Sequence, residues 1–427
     1  MLVALGIPVA ALSFSQGSVA LMVSYNVLLF GMALVTWRLA TPLSGLKVTR
    51  VFDPVLSSRV SNKIRVLLHN DGAEAILGVF RDEPPPFFAV SGQEFEVELQ
   101  SGRTKEVTYN LTPNRRGGDY FRGSFFRLLC PLGLVQRIVP LRTEQLFRVY
   151  PNVLAIKEFD LLKQKGALKE IGIRKSRIRG LGTDFESLRD YSDGDDYRKI
   201  DWKATARKGK LVVRQFEQER NQAVVICVDV GKKMLSEIDG VPKLDLVLDA
   251  VLMLTHSVAV SGDLVGLLIY SDRVHRYIPP RKGRNQSGVI IDALYDLVAE
   301  PKESDTIGAF AYLGSRWKKR SLIITFTDAE DGLQGKEIVS AMGASARRHL
   351  SLCVRVADPK VKEVAESTVT SSDSLYAKAA ALFVNDERRA ADAAFKAAGL
   401  HSLETEPQEL ASALVSFYFT VKERSLL

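Results

Sequence analysis

Cysteine and histidine are both scarce in this chain. The three cysteines, Cys130, Cys227 and Cys353, stand singly in apolar surroundings, with no CxxC pair and no histidine at metal-ligand spacing. That excludes a disulfide framework and a structural zinc site, and it reads as buried free thiols in a reducing compartment. The five histidines, His69, His256, His275, His349 and His401, form no HExxH pair, which excludes a zinc hydrolase of that type. His256 falls on an apolar helical stretch and reads as a packed core residue rather than a ligand.

Phosphate and acyl chemistry lack their motifs as well. Gly332-Leu333-Gln334-Gly335-Lys336 has neither the spacing nor the Ser/Thr of a Walker A loop, and there is no nucleophile elbow and no Ser/His/Asp order. The acidic cluster Asp190 to Asp196 fails as a calcium loop, because placing Gly194 sixth puts Arg189 first, where an acid is required. No constellation is left for catalysis. The expectation is a binding protein rather than an enzyme, with no catalytic residues and no cofactor.

Charge is missing altogether from Met1 to Trp37. Val19 to Trp37 has about the length of a bilayer-spanning helix, and a hydrocarbon core of roughly 30 Å needs about 20 residues. The shorter run Met1 to Phe14 contains Gly6 and Pro8 and is joined to it by Ser15-Gln16-Gly17-Ser18, so a transmembrane hairpin is expected over residues 1–40. One span with an interfacial lead is the alternative. A basic n-region for a secretory signal is absent, and Arg38, Lys47 and Arg50 follow the second span. By the positive-inside rule the bulk of the chain then faces the cytoplasm, from the inner membrane.

What is present is a globular composition: 427 residues, 46% hydrophobic and 25% charged, enough for two or three domains. The formal net charge of +8 is concentrated between Lys163 and Arg179, where seven basic residues face one acid, Glu170. An acidic partner patch or an anionic membrane suits such a run. With no base-reading motif beside it, nucleic acid is not an expected partner. From residue 48 to 150, short alternating runs such as Lys63–Asp71, Phe95–Gln100 and Lys105–Pro113 are separated by Asn70-Asp71-Gly72, Pro84-Pro85-Pro86, Ser101-Gly102 and Arg116-Gly117-Gly118. That spacing predicts a small immunoglobulin-like β-sandwich.

From Asn221 onward strands alternate with helices. Continuous apolar strands are predicted at Ala223–Val230, Leu264–Asp272, Ser321–Asp328 and Ser351–Asp358, with helices near 243–260, 286–299, 306–318, 336–349, 376–399 and 408–423. The pattern predicts an α/β doubly wound domain over 221–427 with its site at the carboxyl ends of the strands.

Between the two, in a region of basic linker and loop over 151–220, charges and aromatics reach their highest density. Asp184, Glu186, Arg189, Asp190, Asp193, Asp195, Asp196, Arg198, Lys199, Asp201, Lys203 and Arg207 interleave with Phe185, Tyr191, Tyr197 and Trp202. Either this is a solvated, salt-bridged connector, or it is an ordered loop held by Arg189 and Arg198 and packed against the α/β domain by Trp202. Leu188-Arg189, Tyr191, Gly194-Asp195, Arg198, Ile200-Asp201-Trp202 and Ala206-Arg207 resemble the signature of domain of unknown function family 58, bacterial membrane proteins that are von Willebrand factor A-like partners of MoxR-type AAA ATPases. Arg116-Gly117, Tyr120 and Pro131-Leu132-Gly133-Leu134 resemble its turns, except that Cys130 stands where the family has Asp.

The resemblance implies a membrane-anchored cytoplasmic protein that works with a MoxR-type AAA ATPase in assembling or activating protein complexes, with Leu188 to Arg207 as binding residues. A von Willebrand factor A-type scaffold or adhesion module with a divalent metal and no ATPase is the alternative. It also implies where a Mg²⁺ site would lie. The fold's Asp-x-Ser-x-Ser is here Asp229-Val230-Gly231-Lys232-Lys233, so both hydroxyls are lost, while Thr306 and Asp328 stand at the later positions. An ammonium does not ligate a metal and repels it. A metal-free cleft is therefore expected, with Lys233 pairing to Asp229 or Asp328, or else turned to solvent.

Overall fold

The computed structural model describes residues 18–38, 43–53, 55–129, 136–152, 155–156, 160–161, 184–192, 195, 197–217, 222–328, 332–424 and 426. It divides into two compact units, Met1–Val149 and Tyr150–Leu427. Both are mixtures of sheet and helix whose elements follow from the alternation of apolar residues.

The transmembrane hairpin expected at the N-terminus is overturned. Its first arm, Met1 to Phe14, and residues 15–17 of its turn lie outside the described residues, and its second arm forms a single helix, α1 (Ser18–Arg38), followed by β-structure from Leu46. No helix among the described residues is long and apolar enough to cross a membrane. Ser24, Tyr25, Asn26 and Thr36 interrupt the apolar side chains of α1, and Thr36 donates to the Ala33 carbonyl at 2.9 Å. Arg50, read as a charge at the membrane border, is likewise buried within the first unit.

The first unit contains β1 (Leu46–Val51), β2 (Val55–Ser57), β3 (Asn62–Asn70), β4 (Ile76–Glu83), β5 (Ala89–Ser91), β6 (Glu94–Leu99), β7 (Thr104–Thr112), β8 (Gly117–Phe121), β9 (Gly123–Leu129), β10 (Gln136–Leu141) and β11 (Gln145–Tyr150). They form sheets in the orders β1-β3-β7-β5, β10-β9-β4-β6 and β2-β11-β8. Period-2 alternation turns Ile64, Val66 and Leu68 of β3, Val107 and Leu111 of β7, Phe80 of β4 and Phe126 of β9 into one core. Within it Arg50 forks onto Asp82, Nε to Oδ2 at 2.9 Å and Nη2 to Oδ1 at 2.5 Å. Tyr109 and Ser124 donate to the same carboxylate at 2.7 and 2.9 Å, so its charge is answered from all sides.

The second unit opens with a hairpin of β12 (Asp184–Asp190) and β13 (Val212–Glu217), whose connection carries the short helix α2 (Trp202–Lys208). There follow β14 (Ala223–Asp229), the small pair β15 (Glu237–Ile238) and β16 (Val241–Pro242), α3 (Lys243–Val260), β17 (Leu264–Tyr270), β18 (Val274–Arg281), α4 (Arg284–Leu294), α5 (Thr306–Arg316), β19 (Leu322–Phe326), α6 (Gly332–Ala346), β20 (Leu350–Val356), α7 (Pro359–Glu366), α8 (Ser372–Ala397), β21 (His401–Thr405) and α9 (Leu410–Glu423). The main sheet runs β18-β17-β14-β19-β20-β21, parallel except for the antiparallel edge strand β18.

Both faces of this sheet are covered. Val224, Ile226 and Val228 pack with α3 and α9 on one side. Val225, Cys227 and Cys353 pack with α5, α6 and α8 on the other, which is why the strands read as unbroken apolar runs. Cys227 and Cys353 are free and buried, and burial pushes each thiol up to about 12. Cys130 and the turn 131–134 lie outside the described residues.

Candidate functional site

The acid-rich signature forms the connection of the β12–β13 hairpin, and its backbone is tied down at several points. The Tyr191 amide donates to Leu211, and the Asp201 amide to Val212, at 3.0 and 2.9 Å. Arg189 grips Asp195 through both terminal nitrogens, at 2.7 and 2.5 Å, and Asp195 also accepts from the Ser192 amide at 2.9 Å. The hydrogen bond that Arg189 donates to Asp195 raises the Arg189 pKa further. Asp201 caps α2 by accepting from Ala204 at 2.9 Å, and Gly209, at φ 65°, ends the helix in the left-handed region. Leu188 and Tyr191 are half-buried against this frame, while Gly194 and the basic run 163–179 lie outside the described residues.

Trp202 departs from expectation. It is 68% exposed and Tyr197 67%, so neither ring packs the loop onto the sheet. The cause is local: α2 buries none of its residues, and the hairpin strands supply the order that Trp202 was expected to give. Arg198 lies over the Tyr197 ring at 5.8 Å, and Lys203, Arg207, Lys208 and Lys210 are exposed nearby in the same connection. The result is a fixed scaffold presenting two aromatic rings amid positive charge.

The strand-end cleft is built differently from its sequence outline. Asp229, at the end of β14, is fully buried. Its Oδ1 accepts from the Gly231 amide at 2.8 Å and from the Ser304 hydroxyl at 2.5 Å, and its Oδ2 from Thr327 at 2.7 Å. A Cβ on Gly231 would collide with the Ser304 hydroxyl and crowd the Lys302 carbonyl, so Ser304 fills the space that a side chain at 231 would use. The loop bearing Ser304 is stitched on by Glu300 to Val230 and Asp305 to Ser271, at 2.7 and 2.8 Å.

Asp328 is paired, but not to Lys233. Its Oδ2 lies 2.6 Å from the ammonium of Lys243, the first residue of α3, and both side chains are buried. Lys233 occupies a short turn, half-buried, and makes no ion pair among the described residues. Thr306 is buried at the start of α5, which Asp305 caps. Three donors thus occupy most of the acceptor sites of Asp229, and an ammonium lies against Asp328.

A third cluster went unread in the sequence. The buried Ser271 hydroxyl lies 2.9 Å from Asp272, 2.7 Å from Nε2 of His275 and 3.1 Å from Glu300. Ligand atoms of those three residues fall within 4.8 Å of one another, and Lys302 bridges the two carboxylates at 3.2 and 3.3 Å. The Ser271 hydrogen bond first, and Lys302 after it, hold Asp272 and Glu300 below the usual carboxylate range. Beside the cluster lies a cavity of about 390 Å³ lined by Val230, Ile269, Leu297 and Pro301. Ser, Asp, His and Glu joined only by a β-turn and a distant loop leave no motif to find.

Several known proteins resemble this chain. Uncharacterized protein Rv1480 of Mycobacterium tuberculosis is 26% identical over 189 residues, 44% of this chain and 59% of that protein, so the chain spans about three fifths of that relative's length. Uncharacterized protein YeaD of Bacillus subtilis is 23% identical over 129 residues, 30% of this chain and 31% of that protein. Among solved structures, the conserved hypothetical protein BatB of Bacteroides thetaiotaomicron aligns with 47% of this chain and 98% of its own, at 13% identity and a TM-score of 0.32. An aerotolerance-related membrane protein of Bacteroides fragilis aligns with 47% and 99%, at 10% identity and a TM-score of 0.31. Residues 187–403, which take in most of the hairpin connection and the whole strand-end cleft, match the model described as "Protein of unknown function DUF58". With just over half of its length inside that match, the chain belongs to the DUF58 family.

Proposed function

We propose that this chain is a von Willebrand factor A-like binding protein that docks a MoxR-type AAA ATPase through the β12–β13 connection, in assembling or activating protein complexes. The observation that carries the reading is the pair of exposed rings, Tyr197 and Trp202, on a backbone fixed by the Arg189–Asp195 fork and the Asp201 cap. Tyr, Trp and Arg dominate the energetics of protein interfaces, and anchors held rigid before binding lose little entropy on docking. The exposed Lys203, Arg207 and Lys208 favour an acidic counter-surface on the partner. Residence at the cytoplasmic side of the inner membrane belongs to the same reading, supported by the exposed apolar side chains of α1 and the unpaired thiols.

The cleft supports this over a metal-dependent adhesion module, because Ser304, Thr327 and Lys243 supply from within the chain what a cation would supply. A binding titration of the purified full chain against the MoxR-type ATPase of the same organism tests the proposal. Trp202→Ala should weaken binding about 10- to 100-fold, a hot-spot loss, while leaving the melting temperature unchanged. Wild-type affinity in both Trp202→Ala and Tyr197→Ala would remove this surface from consideration.

A further inference from the structure

We infer that the outward face of α8 is a self-association surface, on which a second copy of this chain docks with its own α8 antiparallel. The residues are distinct from those of the β12–β13 connection, and their occupant does not depend on an ATPase.

The 26-residue helix begins at a capping box between Ser371 and Ser374. Its C-terminal half is anchored by buried Ala391 and Phe395, but in its N-terminal half only Ala381 is buried. On the other side Leu375, Ala379 and Leu382 recur at i, i+4 and i+7, with Tyr376 and Phe383 alongside, and all five are exposed. Tyr376 is 75% and Phe383 66% exposed. Two aromatic and two leucine side chains so placed amount to roughly 500 Å² of contiguous apolar surface, the size at which patches on single chains mark interaction sites. Shared between two copies, that is about 1,000 Å², where specific interfaces begin.

The stripe is also self-complementary. Around Ala379 the exposed apolar pattern reads alike in both directions: Leu375 answers Phe383, and Tyr376 answers Leu382. A two-fold axis at Ala379 therefore lays Leu375 and Tyr376 of each copy over Leu382 and Phe383 of the other, with the small Ala379 side chains at the crossing letting the helices approach. Lys378, within the stripe, bonds back to the Ser367 carbonyl at 2.7 Å and so keeps its charge off the seam.

The full chain in mild detergent, run by sedimentation velocity over a concentration series, should dimerise, and Phe383→Glu should weaken the dimer about 100-fold or abolish it. Ala379→Cys should form a covalent dimer on mild oxidation, well ahead of both wild type and Ala390→Cys, which lies on an exposed part of the same helix but away from the axis. A wild-type chain that stays monomeric, a dimer that survives Phe383→Glu, or cross-linking no faster at 379 than at 390 would each overturn the inference.

Discussion

Replacing Lys243 by methionine keeps most of the side chain's bulk and removes its ammonium, so the perturbation is chiefly electrostatic. Lys243 is 7% and Asp328 4% exposed, with 2.6 Å between Nζ and Oδ2. Solvent therefore screens little of the charge that the substitution strands, and breaking such a pair costs about 3–5 kcal/mol. For a unit of this size each kcal/mol lowers the melting temperature by roughly 2–4 °C, which sums to about 6–20 °C. Urea unfolding and calorimetry on the full chain read both quantities. Removing Asp328 as well, in a Lys243→Met, Asp328→Leu double variant, should restore most of the loss, because an apolar pair of similar volume often matches a buried ion pair. Lys233→Met should stay within about 0.5 kcal/mol of wild type, as substitutions without a buried partner do. A Lys243→Met variant as stable as wild type, or a Lys233→Met variant less stable than it, would refute Lys243 as the cleft's cation.

Mg²⁺ added to the wild-type chain should give no saturable heat with Kd below about 1 mM, equivalent to about 4 kcal/mol of binding; a saturable heat that vanishes in Asp229→Ala would contradict the geometry of the cleft. His349 offers a pH test: burial first, and the charge of Arg348 second, lower its pKa from the ordinary 6.5. The unfolded chain then binds a proton more readily than the folded one. Stability attributable to this group is retained above about pH 6.5 and lost as pH falls toward the folded pKa. His349→Gln should flatten the acid side of the melting profile between about pH 7.5 and 5.5, and a wild-type fall in the variant would count against it.

The elements that were easiest to read are those whose burial leaves the sequence no choice. Ala223–Asp229 is buried at every position, and a run of seven such residues can only be an interior strand; Lys243–Val260 shows its helix through apolar recurrence over 18 residues. Edge strands carry a weaker trace. β21, His401–Thr405, is only half-buried and hides as a polar pentapeptide after Gly399, while β18 holds Pro279 and Pro280, which only an edge tolerates. The β12–β13 hairpin was missed for another reason. Its strands are separated by the 21 residues from Tyr191 to Leu211, which fold into a cap and a helix of their own, so no two-residue turn announces the pairing.

The cleft shows where a single sequence stops informing. Gly231 and Lys233 were legible as departures from an Asp-x-Ser-x-Ser pattern, because they lie two and four residues from Asp229. Their compensations are not local: Ser304 is 75 residues from Asp229, and Lys243 is 85 from Asp328. A cation inserted near a strand end need not come from the strand that lost its hydroxyls, since every loop at that end of a parallel sheet converges on the same space. One clue was nevertheless present. Lys243 opens a largely apolar helix at the end where the backbone dipole disfavours positive charge. A lysine so placed and buried requires a carboxylate beside it, and Asp229 and Asp328, which end buried strands, are two that the topology brings to that side. Of those two, Asp229 is already answered by Ser304 and Thr327, which leaves the ammonium to Asp328.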